Sequence, residues 1–80
     1  MSEDPIFTQA AEMVEAGALG FSEAGERLTD HQLADRAYGD VLALLVRAQG
    51  HEPSLKLEDV ELFRLRSTAA LLEQLRIRTS

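Results

Sequence analysis

Residues 57–77 cannot be laid on a helical wheel with one oily side and one wet side. At 100° per residue, Leu62, Leu65, Ala69 and Leu72 make one apolar stripe, and Val60, Phe63, Ala70 and Ile77 make a second. Leu57, Leu71 and Leu75 lie between the two, which leaves a clearly polar strip only around Asp59, Arg66 and Glu73. A helix that is apolar nearly all round is ordinarily buried on several sides. A chain with only three helices cannot do this for one of its own, because a three-helix bundle leaves the outer side of every member in water. A monomer would need the first helix and its connector to wrap the third.

The helix before it repeats the problem in milder form. Thr29 and Gln32 fit a capping box, with Leu28 and Leu33 placed as its hydrophobic staple. Apolar spacing then runs to Ala48, and Gly50 is a natural stop. Leu33, Ala34, Ala37, Tyr38, Val41, Leu44, Leu45 and Ala48 form one continuous arc, enough for the core side of a small bundle. The run "VLALLV" at 41–46 contains two residues too many: Leu42 and Val46 fall outside that arc, on a side shared with Asp35 and Gly39. They are four apart and therefore stacked. Gly39, one turn earlier, would let another backbone approach closely.

The rest of the chain supplies an N-terminal helix and two connections. Asp4 is placed to cap a helix and Pro5 suits its first position, where the missing N–H is not needed. Ile6, Phe7, Ala10, Met13 and Val14 give that helix its stripe, and Gly17 and Gly20 end it. Residues 19–28 read as a connector with one helical turn at most, Glu23 standing four before Arg27 and Leu19 and Phe21 folding back on the core. Pro53 disfavours a helical Glu52, so "HEPS" is a tight connection. "SLKLE" alternates like a strand but has no partner strand. The third helix starts at Ser54 or near Leu57, with Glu58, Asp59 and Glu61 at its positive end and Arg76 and Arg78 at its negative end. The expected architecture is all-α: one domain over 1–80, with helices at about 5–18, 30–49 and 56–77, the last two forming an antiparallel hairpin.

Composition narrows the class. A single core in a chain of 80 residues contributes only about 3–5 kcal/mol, so small folds often add a staple or oligomerise. There is no Cys, hence no disulfide or thiolate-held metal, and oligomerisation gains weight. A hydrophobic fraction of 45% argues against disorder despite the net charge of −6. That acidity disfavours duplex nucleic acid, whose binding depends on Lys and Arg neutralising phosphates, and disfavours anionic membranes. "MSEDPIF" lacks the basic and apolar regions of a secretory signal, and no apolar run approaches a membrane span. A cytoplasmic location is the expectation, and seven Arg against one Lys with eleven Ala suggest a GC-rich bacterial source.

Candidate chemistry is sparse. His31 stands beside Asp30 and close to Thr29, but successive helical residues point about 100° apart and do not make a relay; a solvent-exposed first-turn residue is the expectation. His51 and Glu52 have no further His or Cys at ligand spacing. The acids of "EDVE" at 58–61 suit a helix start, and neither a calcium loop nor a Gly-rich phosphate loop is present. The main rival reading is a helix-turn-helix in "LTDHQLADRAYGDVLALL". Its glycine is five residues after Ala34 rather than four, and "DVLALLVRA" offers hydrocarbon, with Arg47 as its only basic residue, where base edges need polar side chains. Charge is also asymmetric: +2 from Val60 onward against −8 over residues 1–59, which suits docking of the C-terminal stretch on an acidic partner or on the acidic half of a sister subunit. The plainer reading is helix-end patterning with pairs Glu61–Arg64 and Glu73–Arg76.

The sequence therefore reads as a non-enzymatic interaction module, a small regulator, adaptor or accessory subunit that self-associates as a dimer or binds another protein. The expected contact residues are Gly39, Leu42, Val46, Phe63, Ala70 and Ile77. No cofactor, metal, small-molecule ligand or membrane is expected, and nucleic acid only as the rival.

Overall fold

The computed structural model describes residues 4–51 and 53–80 and contains three helices, α1 (Pro5–Glu15), α2 (Asp30–Gln49) and α3 (Asp59–Arg78). The Asp4 carboxylate accepts the Ile6 N–H at 2.9 Å and so caps α1, with Pro5 at the first helical position. α1 stops three residues short of the expected end at 18. Gly17 takes a left-handed φ of 76°, the Ala18 N–H reaches back to the Met13 carbonyl and the Gly17 N–H to that of Val14. That is a Schellman closure, and it fixes the end at the glycine rather than at the last apolar residue.

The connector contains no helical turn. Phe21 and Arg27 pair in an antiparallel bridge, the Leu28 N–H donates to the Gly20 carbonyl at 2.9 Å and the Ser22 N–H to that of Glu26 at 2.8 Å. Gly25 closes this reversal with a φ of 83°, a conformation costly for any residue with a Cβ. The helical Glu23–Arg27 pair therefore has no helix to form on. Leu19 and Phe21 do fold back: with Leu28 they line a shallow pocket against Leu33, Arg36, Ala37 and Asp40 of α2.

α2 has the expected bounds because both halves of its capping box form. Thr29 Oγ1 accepts the Gln32 N–H at 3.1 Å, and Gln32 Oε1 accepts the Thr29 N–H at 2.9 Å. The helix runs unbroken through Gly39, so the turn a helix-turn-helix would need there is absent. At its far end the backbone of Gly50 is extended rather than left-handed. Glycine is required there for space: a Cβ would run into the Val46 carbonyl oxygen. Gly50→Ala should force the last turn of α2 open, costing about 1–3 kcal/mol and lowering Tm by several degrees in a thermal melt. The Ser54 and Leu55 N–H groups both donate to the Arg47 carbonyl, at 2.9 and 3.0 Å. This turned-back segment delays α3 to Asp59, later than the expected 56, and the Glu61 carboxylate accepts the Glu58 N–H at 3.0 Å to start it. "SLKLE" forms no strand.

α2 and α3 pack against each other as an antiparallel hairpin, and α1 packs on neither. The hairpin seam follows a three-four spacing on both sides: Ala34, Tyr38, Val41, Leu45 and Ala48 face Leu62, Leu65, Ala69, Leu72 and Arg76, all buried or half-buried. That spacing is the seam pattern of a coiled coil. Among the described residues only Ala34 and Ala69 are buried, two small side chains of the seam. The compact three-helix arrangement expected from sequence thus gives way to a two-helix plate with a separate N-terminal arm. The radius of gyration is 14.9 Å, against about 12 Å for a compact domain of this length. The accessible surface is 6788 Å², roughly 2,000 Å² above what a compact monomer of 8.8 kDa shows.

Candidate interaction surface

The hairpin has two broad faces, one on each side of the seam. On one of them, Gly39, Leu42 and Val46 follow Asp35 along α2, and Phe63, Ala70 and Ile77 run along α3, each one step round the helix from the seam. All six are exposed, with Val46 at 65%, Phe63 at 70% and Ile77 at 67%. Leu42 is less open, at 39%. A Cβ added at Gly39 would meet nothing within 4 Å, so the glycine leaves a gap in the surface rather than making room for a neighbour in its own chain. The six residues named from sequence therefore all lie at the surface of the hairpin, Leu42 the most covered of them by its own chain.

Polar side chains brace this face at both ends. Near the open end of the hairpin, Arg76 Nε lies 2.8 Å from Asp35 Oδ1, and its guanidinium sits 5.3 Å from the Tyr38 ring centroid. Arg76 thus pairs across the seam with Asp35, not with Glu73 on its own helix, while the Glu61 carboxylate is engaged in the start of α3 rather than paired with Arg64. Near the closed end, Arg66 Nη2 donates to Gln49 Oε1 at 2.6 Å. Arg76 and Asp35 are 41% and 59% exposed, so water screens the pair. Arg76→Ala should cost only about 1 kcal/mol from the ion pair and the ring contact together, visible as a small Tm decrease that shrinks in high salt.

His31 corrects the expectation of a solvent-exposed residue. It is half-buried, and Nδ1–H donates to the Arg76 carbonyl at 2.8 Å, satisfying one of the carbonyls that the end of α3 leaves without an intrahelical partner. The donor is assigned to Nδ1 because a carbonyl oxygen only accepts. Thr29 Oγ1 is occupied by the α2 cap and Asp30 is exposed, so no relay is assembled. His51 is exposed, and Glu52 lies outside the described residues. Among the described residues no three His, Cys, Asp or Glu side chains gather where a metal would sit.

The opposite face carries a shallow groove lined by Leu33, Ala34, Ala37, Leu72 and Leu75, with Asp30 and Thr79 at its end. Its lining is hydrocarbon, with no convergent polar groups to orient a small ligand. α1 presents Ile6 and Phe7, 77% and 72% exposed, to solvent as well. These features define an antiparallel α-hairpin with apolar residues on both faces and an amphipathic arm. No family model matches the chain, and comparison with curated proteins and with solved structures yields no match. Among the described residues no helix is long and apolar enough to cross a membrane.

Proposed function

We propose that this chain is a non-enzymatic protein–protein interaction module that self-associates through the hairpin face bearing Gly39, Leu42, Val46, Phe63, Ala70 and Ile77. One observation carries the reading: the isolated chain leaves roughly 2,000 Å² more surface in water than a compact monomer of its size. A standard interface buries about 800 Å² per partner, so the excess is more than enough to supply one. Single exposed leucines are ordinary on monomers, whereas a contiguous apolar patch marks an interface. A two-fold symmetric pair, the commonest oligomer, would set the Leu42–Val46 stripe of one hairpin against the Phe63–Ala70–Ile77 stripe of the other and the reverse. The Gly39 gap admits a side chain from the facing helix. A regulatory, adaptor or accessory role follows from such a surface joined to no visible chemistry.

Sedimentation of the purified chain in the micromolar range tests this. Two chain masses are expected, and a single chain mass with an intact helical spectrum would overturn it. A gel shift with genomic fragments at low salt should show no complex; a shifted band would favour the DNA-binding alternative instead.

A further inference from the structure

We propose that α1 is a strap that closes on its own hairpin, seating its apolar stripe in the groove beside Leu33 and Ala37; this goes beyond self-association and does not depend on it. The structure shows the strap open. Its root already stands at the groove. Ala18, whose N–H holds the end of α1 through the Met13 carbonyl, lines the connector pocket with Leu19 and Phe21, and the α2 wall of that pocket includes Leu33 and Ala37. The same two residues line the groove with Leu72 and Leu75. The arm therefore has no helix to cross, and a rotation in the turn at residues 16–18 brings it over the groove.

Length then fixes the direction. A seven-residue step nearly restores the same face of a helix. Ala37 to Leu44 on α2 and Leu72 to Leu65 on α3 are such steps, and they carry the groove into the pocket that Leu44 and Leu65 line with Leu55 and Leu57. From Ala37 to the end of α2 at Gln49 is about 18 Å, and α1 is about 16 Å long. In the other direction only about 5 Å of α2 remain between Leu33 and Asp30. The closed arm thus runs antiparallel to α2 with Ile6 toward Leu44 and Leu57, which makes the chain an up-down-up bundle.

The chemistry of the two surfaces agrees. The 11 residues of α1 are too few to be stable as a lone helix in water, and Ile6, Met13 and Val14 are exposed while the arm is open. Ile6, Ala10, Met13 and Val14 share one side of α1, and Glu12 and Glu15 lie on the other. Closure therefore buries hydrocarbon on hydrocarbon and leaves both carboxylates in water. Covalent attachment decides which copy supplies the arm. A short tether holds its load at an effective concentration on the order of millimolar, about a thousandfold above micromolar free chains. Val46, Phe63 and Ile77 do not line the groove or its continuation, so closure leaves them open for association.

The absence of Cys allows a direct test by disulfide trapping. Ala10→Cys is combined with Thr68→Cys in one chain and with Leu44→Cys in another, which puts one thiol at the middle of the stripe and one on either wall of the groove. In the open position no α-carbon of α1 lies within 8 Å of one on α2 or α3, beyond the roughly 7 Å that a disulfide tolerates. Mild oxidation is followed by non-reducing electrophoresis and intact mass. The expected result is a disulfide within one chain in at least one of the two variants. Its rate should not change on dilution, and the bond should persist when Val46→Asp is added and be lost when Ile6→Asp is added. Bonds only between chains, no bond in either variant, or a bond indifferent to Ile6→Asp would overturn the strap. Sedimentation of the unmodified chain reads self-association separately. A two-chain mass without the internal bond leaves association standing and removes the strap, and a single-chain mass with the internal bond does the reverse.

Discussion

Val46→Asp should convert the associated protein to single chains. Val46 is 65% exposed in the isolated chain, so an aspartate there costs the hairpin itself little, within about 0.5 kcal/mol. In the pair it would be an unpartnered charge in an apolar contact, repeated on the second copy by symmetry. Burying such a charge without compensation costs about 3–5 kcal/mol, and each 1.4 kcal/mol is tenfold in affinity, so a loss of at least about 100-fold is expected. Leu42→Asp should act in the same direction. Sedimentation at fixed concentration reads the effect, and far-UV circular dichroism separates it from unfolding. The helical signal should largely persist at low temperature, because the seam between α2 and α3 does not use Val46. A chain that melts outright would instead place Val46 and Leu42 in the packing of the hairpin.

Ala69→Asp should have the opposite signature. Ala69 and Ala34 are the two buried residues of the seam among the described residues. A carboxylate there would sit among apolar neighbours, two turns along α3 from Arg76, which already holds Asp35, and its larger side chain would push the helices apart. The same penalty of about 3–5 kcal/mol now falls on folding, and a domain of this size has in total about 4–12 kcal/mol. Helical signal should fall sharply at room temperature, with association lost as a consequence. Retention of the wild-type spectrum would mean that the seam is not where the hairpin is held. The pair of variants thus separates the face that binds from the seam that folds.

The contrast between these two residues also explains what was legible in the sequence. Caps were readable because they are local: Asp4 before Pro5, and Thr29 with Gln32, each need only neighbours within one turn, and both form. The seam was readable because helical periodicity is a property of the chain itself, and the stripe Leu62, Leu65, Ala69, Leu72 faces α2 as its spacing requires. The second stripe was readable for the same reason, and Phe63, Ala70 and Ile77 are exposed where the wheel puts them. What spacing could not disclose were choices made between distant segments. Arg76 had both Glu73 on its own helix and Asp35 across the seam within reach, and took the latter. His31 meets a carbonyl 45 residues away. The connector held two glycines, Gly20 and Gly25, and both take the left-handed backbone that favours a reversal over a helical turn. The position of α1 was least legible, since an amphipathic stripe specifies that something must cover it and not what.

We propose this hairpin as one part of a larger assembly made of copies of itself. The most direct measurement is sedimentation equilibrium of the unmodified chain over a wide concentration range, with thermal melts on the same samples. Expected are a mass of at least two chains at micromolar concentration, falling toward 8.8 kDa on dilution, and a Tm that rises with concentration as mass action requires. A constant mass of one chain together with a cooperative melt at a concentration-independent Tm would contradict it.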